Sequence, residues 1–321
     1  MRVAAVQLDA RVGDVAANLE ACERLADAAA ADGPEWILLP EFFTTGAAFL
    51  PELASAALAP DGEATELMRS LARRHGATVG GSFLCRDPDG DVRNAFLLVT
   101  PDGEIAGRHD KDLPTMWENA LYVGGDDDGV IETPGLTVGA AVCWEFMRTG
   151  TARRLRGRVD LVAGGSCWWS VPSFLAPVAR GLETRNERQA ASVAPRFAPY
   201  VGAPVVHAAH CGEFECATPW FPLRYRGHYE GGTTVSDAHG RVLASRDRGQ
   251  GAGHVIADVE PRRVPPEREV PDRFWLHSRG RLGALLWNYQ RAHGRRWYAR
   301  NVRGRPPLVL DRVPDRPAAP V

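Results

Sequence analysis

Three short predicted strands in this chain each run into a residue that can do chemistry. WILLP runs into Glu41, the segment from Glu104 to Asp110 runs into Lys111, and LTVGAAV runs into Cys143. A free thiol with a pKa of ~8.5 is mostly protonated at neutral pH, so a nucleophilic cysteine needs a base or a neighbouring cation. Glu41 can take the proton, and Lys111 can stabilise the thiolate. If the sulfur attacks a carbonyl or nitrile carbon, the charge that develops on oxygen or nitrogen can be met by Lys111 and by a backbone N–H, for which Trp144 is the natural candidate. Cys167, in GGSCWWS, also follows an apolar run and is the rival nucleophile. Its plain reading is a small core residue. The adjacent Trp168 and Trp169 read equally as core or as the wall of a ligand pocket.

These residues must be positioned by the elements that carry them. Val3 to Leu8 reads as a strand, and Val15 to Ala31 as a helix with Asp14 as its N-cap. Trp36 to Leu39 is a strand apolar on both faces, as a buried sheet requires. A helix from Ala64 to Arg74 follows, then a hairpin of Thr78 to Leu84 and Asn94 to Val99 about a turn at Asp87-Pro88-Asp89-Gly90. The second half repeats the alternation. Leu136 to Val142 is a strand, Thr151 to Leu155 a short helix, Val159 to Ala163 a strand, and Pro177 to Gln189 a longer helix. Pro204 to Ala209, Thr233 to Ser236, Val242 to Ala244 and His254 to Val259 close the strand pattern. Hairpins mixed with strand–helix alternation imply a layered α/β domain with mixed sheets and outer helices. In open α/β sheets the loops beyond the carboxyl ends of strands build the site, which is where Glu41, Lys111 and Cys143 fall.

Composition narrows the field. The chain has 321 residues, 45 % hydrophobic and 24 % charged, and its 38 Lys and Arg against 40 Asp and Glu leave a net charge of −2. That balance lacks the counterion-release drive of a nucleic-acid binder. No apolar run approaches the ~20 residues of a membrane span, and an Asp and an Arg interrupt the first residues too early for a signal peptide. The expectation is a cytoplasmic protein. Its six cysteines are scattered, without a disulfide framework. The first strand–helix unit lacks the glycine fingerprint of a dinucleotide site, and no phosphate-binding loop motif is present, so no cofactor is expected.

The motifs together resemble the nitrilase superfamily of carbon–nitrogen hydrolases. AAVQLD opens the chain, LLPEFF surrounds Glu41, GRHDKDLPTMWENALYVGGD surrounds Lys111, and GAAVCWE surrounds Cys143; GGTTVSDAHGRVLA matches the closing strands. The resemblance covers roughly residues 2–260. It implies a four-layer αββα sandwich of two mixed sheets with outer helices, with Glu41 as general base, Lys111 as electrostatic stabiliser and Cys143 as nucleophile. Glu118, seven positions after the lysine, matches the family's second glutamate. KDLPT and CWE look most like the nitrilase branch, although the proline usual after CWE is replaced by Phe146-Met147-Arg148-Thr149-Gly150. The activity implied is cleavage of a non-peptide C–N bond of a small nitrile or amide to an acid plus ammonia or an amine. An amidase or N-carbamoyl amide hydrolase is the alternative, and a catalytically weak binding or scaffold member is the alternative of another class. Trp144, Trp168 and Trp169 are the candidate substrate-binding residues.

Two segments fall outside that pattern. HAAHCGEFEC, with His228 nearby, gathers metal-ligand types at a spacing that matches no familiar zinc frame, and no metal is assigned. Residues 1–260 are read as the hydrolase domain and 261–321 as an Arg- and Pro-rich arm with one helix-like stretch, Leu282 to Arg291. The arm is expected at a subunit interface of a homodimer or higher homo-oligomer. Its aromatics and arginines could bind single-stranded nucleic acid, but the neutral remainder favours docking on a partner subunit.

Overall fold

The structure, a computed structural model, describes residues 1–171, 176–217, 224–277 and 280–305. Strands β1 (Arg2–Leu8), β2 (Trp36–Leu38), β3 (Thr78–Arg86), β4 (Val92–Val99) and β5 (Ile105–Asp110) form one half of the framework, with helices α1 (Val15–Ala30) and α2 (Glu63–His75). The other half has β6 (Val130–Thr133), β7 (Leu136–Val142), β8 (Leu161–Ser166) and β9 (Val205–His210), with α3 (Thr149–Leu155) and α4 (Ala176–Val201). A hairpin, β10 (Glu213–Ala217) and β11 (Arg224–His228), stands apart as a two-stranded sheet. Then follow β12 (Gly231–Ser236), β13 (Val242–Asp247), β14 (Gly253–Asp258) and a C-terminal helix α5 (Gly280–Asn301).

Alternation along the strands shows the layers. On β1, Ala4, Val6 and Leu8 pack with α1 and α2, while Val3 and Ala5 face a second core shared with Val138, Ala140 and Val142 of β7 and Val206 and Ala208 of β9. Val162 of β8 and Val205 of β9 turn the other way, onto Val193, Phe197 and Val201 of α4. The period of two on each strand thus separates a helix-facing core from a sheet-facing core. The order is helix, sheet, sheet, helix.

The two sheets join at a narrow seam. β5-β4-β3-β2-β1-β14 and β6-β7-β8-β9-β12-β13 are linked by the parallel pairs Gln7↔Ala209 and Leu8↔His210, at the carboxyl ends of β1 and β9. Glu41 and Cys143 leave their strands at this end of the sandwich.

Most elements fall where the periodicity predicts them. Asp14 caps α1 by accepting from the Ala17 N–H. Helix α4 instead continues to Val201 through Pro195 and Pro199. Each proline removes a donor and would ordinarily end the helix, but burial of Ala194, Phe197, Ala198 and Val201 in the third core holds it in line. Helix α5 likewise extends ten residues beyond the expected stretch, from Arg291 to Asn301. The tail from 306 to 321 lies outside the described residues. No described helix is long and apolar enough to cross a membrane.

Candidate active site

Glu41 follows Pro40 at the end of β2, Lys111 follows β5, Cys143 follows β7, and Glu118 lies in a 3-10 turn, Met116–Ala120. The structure brings all four together and buries them. Glu41 and Lys111 are fully enclosed, and Cys143 is 2 % exposed. Lys111 Nζ donates to Glu41 Oε1 at 2.8 Å and to Glu118 Oε2 at 2.7 Å. Cys143 Sγ and one carboxylate oxygen each of Glu41 and Glu118 lie within 4.8 Å of one another.

The local backbone explains this convergence. The non-glycine residues with left-handed φ among those described are Phe42 at 52°, Met116 at 50° and Cys143 at 55°. Phe42 follows Glu41, and Met116 precedes Glu118 by two. This conformation costs ~1–2 kcal/mol per residue and persists where the surroundings over-determine it. Gly165 of β8 permits the approach of the Glu41 loop, because a Cβ there would stand 2.9 Å from Pro40 Cα and 3.0 Å from Glu41 N.

A second set of groups holds the carboxylates in place. Asn94 Nδ2 donates to Glu41 Oε1 at 2.9 Å, and the Cys167 N–H donates to Glu41 Oε2 at 2.8 Å. The Thr115 N–H at 3.0 Å and the Tyr122 hydroxyl at 2.5 Å donate to Glu118 Oε2. Sequence reasoning missed Asn94 and Tyr122. An asparagine in the apolar strand VRNAFLLV was the available signal, since a buried amide must find partners.

Charge is distributed unevenly here. Burial would lower the Lys111 pKa, but Glu118 and Glu41 hold it well above the ordinary lysine value, so it stays an ammonium. Burial raises Glu41 against the lowering pull of Lys111. The Cys143 thiol is pushed well up by burial and by the Glu41 charge, with Lys111 opposing. The Lys111 ammonium is engaged by two carboxylates as well as lying near the sulfur. With Glu41 and Cys143 enclosed together, the carboxylate can take the thiol proton if the sulfur attacks an electrophile.

A buried network supports the loop after Cys143. Glu145 accepts from the Val142 N–H at 2.8 Å and from the Asp112 N–H at 3.2 Å, and it pairs with His109 Nε2 at 2.9 Å. Despite complete burial, which alone would raise it, Glu145 is held well below the usual carboxylate range by His109, Arg148 and Arg154. One carboxylate therefore ties the Cys143 loop to the residue after Lys111.

The tryptophans divide into two groups. Trp144 stacks on Trp287 of α5 at 5.6 Å between ring centroids and contacts Trp168 at 5.8 Å. Trp169 instead packs edge-on against Phe49 at 4.8 Å, beside Phe214 and Tyr225. Helix α5 lies across the Glu118 turn, where Trp117 stacks on His293 at 5.1 Å. Gly294 makes this possible, since a Cβ there would meet Asn119 Cβ at 2.8 Å and Ala120 N at 2.9 Å. A cavity of about 400 Å³ opens between α5 and the loop after Lys111, lined by Asp112, Asn119, Tyr122, Arg291, Arg295 and Tyr298 among others, and not by Cys143.

The HAAHCGEFEC segment forms the end of β9 and all but the last residue of β10. His207 pairs with Ser166 Oγ at 2.7 Å, and His210 Nε2 donates to the Glu41 carbonyl at 2.5 Å. Burial holds both imidazoles near pKa 4, hence neutral. His210 is thus a further positioning contact to the Glu41 backbone.

The layered fold and the buried Glu–Lys–Cys–Glu set can be set beside known proteins. The sequence model of the carbon-nitrogen hydrolase family matches residues 2–266, and the chain belongs to that family. It is 30 % identical over 217 residues to omega-amidase YafV of Yersinia enterocolitica, covering 67 % of this chain and 74 % of that one. Against an aliphatic nitrilase of Sinorhizobium fredii it is 31 % identical over 172 residues, 46 % of this chain and 55 % of that one. Among solved structures, a mutant amidase from Nesterenkonia sp. AN1, with acrylamide added at its active-site cysteine, superposes with a TM-score of 0.62 at 21 % identity, over 80 % of this chain and 92 % of that one. The protein is a carbon-nitrogen hydrolase of the nitrilase superfamily.

Proposed function

We propose that the chain hydrolyses a small amide or nitrile to a carboxylic acid through a covalent intermediate on Cys143. Glu41 removes the thiol proton as sulfur attacks the electrophilic carbon. Lys111 and the Trp144 N–H meet the charge developing on oxygen or nitrogen. From an amide, Glu41 passes the proton to the nitrogen and ammonia or an amine leaves a thioester; from a nitrile, a first water must add to the thioimidate before ammonia leaves the same thioester. In both, a further water activated by Glu41 releases the acid and restores the thiol. Glu118 holds Lys111. The observation that carries this reading is the single ammonium of Lys111, 2.8 Å from Glu41 and 2.7 Å from Glu118, beside the Cys143 sulfur.

Between amide and nitrile, the longer match to the omega-amidase, 74 % of its length against 55 % of the nitrilase, favours the amide. Trp144 and Trp168 form the proposed pocket wall, with Trp169 behind it. A homodimer or larger assembly belongs to this reading, supported by Leu285 and Tyr289, 67 % and 55 % exposed on α5; light scattering that returned a monomer would remove it. The chemistry is tested with nitriles, primary amides and N-carbamoyl compounds, following ammonia release and adduct mass in wild type and Cys143→Ala. Turnover of one class with an adduct on Cys143 supports the proposal. No turnover and an inert Cys143 would leave a binding or scaffold role.

A further inference from the structure

A second cluster of ionisable groups lies apart from the four residues described. Glu183 of α4, His228 at the end of β11 and Glu230 just before β12 bring one ligand atom each within 4.8 Å of one another. His228 Nε2 stands 3.1 Å from Glu183 Oε1 and 3.5 Å from Glu230 Oε2. Neither His228 Nε2 nor Glu230 Oε2 makes a hydrogen bond, although both atoms are buried and the Glu230 side chain is fully enclosed.

The geometry favours a cation over a simple ion pair: two carboxylates, Glu183 and Glu230, converge on one imidazole, and the enclosed Glu230 Oε2 is left without a hydrogen bond. Arg248 Nη1 approaches no closer than 3.6 Å to Glu230 Oε2. The spacing also fits: tetrahedral bonds of ~2.0–2.1 Å set ligand atoms roughly 3.3 Å apart, between the two distances observed. The other grouping of metal-ligand types, Glu41, Glu118 and Cys143, already holds a cation in Lys111.

We propose that Glu183, His228 and Glu230 form a binding site for a divalent transition metal of the zinc type, with one N and two O ligands and an open position toward solvent. Glu183 and His228, with side chains 32 % and 24 % exposed, provide the entry path. An imidazole nitrogen with two carboxylate oxygens is a donor set that suits Zn²⁺. Asn186 anchors the site to the aromatic wall. Its Nδ2 donates to Glu230 Oε1 at 2.6 Å and to the Trp169 carbonyl at 2.8 Å, and its Oδ1 accepts from Trp168 Nε1 at 2.9 Å. The metal would pin α4 to β11 and brace Trp168 from behind.

The test uses the full chain carrying Cys143→Ala, which removes the thiol at the first site, stripped of metal by chelation. Zn²⁺ is titrated by calorimetry, and Co²⁺ replaces it for absorption spectra. The expected result is one equivalent bound, a Co²⁺ spectrum without a thiolate charge-transfer band, and affinity weakened at least about 100-fold by His228→Asn or Glu230→Gln. Glu183→Gln, on the more exposed side, gives the same loss if Glu230→Gln fails to fold. Substoichiometric binding, a thiolate band, or affinity untouched by the three substitutions would overturn the proposal. None of these readouts depends on catalysis, so they stand or fall apart from the hydrolase reading.

Discussion

The backbone N–H of Cys167 donates to Glu41 Oε2 at 2.8 Å, so the residue that rivals Cys143 as a candidate nucleophile holds Glu41 through its main chain. Its thiol is fully buried and pushed well up, by burial first and by Glu41 next. Cys167→Ala should therefore keep kcat/KM within about threefold of wild type, whereas Cys143→Ala should lose at least ~10⁴-fold, the scale seen when a nucleophile is removed. Steady-state kinetics on the pair decides it. Equal losses would mean that the Cys167 side chain takes part.

Lys111 is flanked by two buried carboxylates, and its removal leaves both without a counter-charge. Lys111→Met should destabilise the fold by roughly 3–5 kcal/mol, the range for breaking a buried ion pair. Adding Glu118→Gln should restore part of that loss by deleting one of the stranded charges. Urea unfolding of the single and double variants measures both, and a double variant no more stable than the single one would contradict the shared-ammonium picture.

His109 gives a pH signature. Burial alone would lower its pKa, but Glu145 and Asp127 raise it to about 10. An unfolded histidine titrates near ~6.5. A raised folded value contributes stability that is fully present below pH ~6.5 and is lost as pH climbs through 10. Wild type should lose stability across that window, and His109→Gln, less stable at pH 6.5, should lose less over the same range. Parallel curves in buffered denaturation would contradict the assignment.

Gly294 separates packing from propensity. On propensity alone, Gly to Ala in a helix interior stabilises by ~1 kcal/mol, yet here the new Cβ would stand 2.8 Å from Asn119 Cβ and 2.9 Å from the Ala120 nitrogen. Gly294→Ala should push α5 off the Glu118 turn and cut kcat/KM by about tenfold or more. Gly150→Ala in α3, where nothing lies within 4 Å, is the control and should leave activity unchanged. Thermal melts taken alongside would separate loss of fold from displacement of the helix.

What could be read from residue order alone was local. Short apolar runs placed β1, β2 and β7, the Asp14 cap placed the start of α1, and strand ends announced Glu41, Lys111 and Cys143. Glu118 needed the family pattern, because a 3-10 turn has no periodicity to betray it. The prolines of α4 signalled a stop that long-range packing overrode. Asn94 and the Cys167 N–H act across dozens of residues of sequence, Tyr122 reaches Glu118 four positions away in a turn without a repeating pattern, and the surroundings of Cys143 depend on enclosure that only the assembled core creates. Likewise, the pairing of Trp144 with Trp287 joins residues from opposite ends of the second half.

The docking of α5 bears on how such an enzyme can diversify. The family match ends at residue 266, yet Trp287 and His293, beyond it, touch Trp144 and Trp117, neighbours of Cys143 and Glu118. Change in the tail would therefore alter what packs beside Cys143 and Glu118 without touching the matched region itself. A variant trimmed to that region would keep Glu41, Lys111, Glu118 and Cys143 and lose the α5 rings that cover their neighbours, so the tail is where substitutions could reshape the site from outside it.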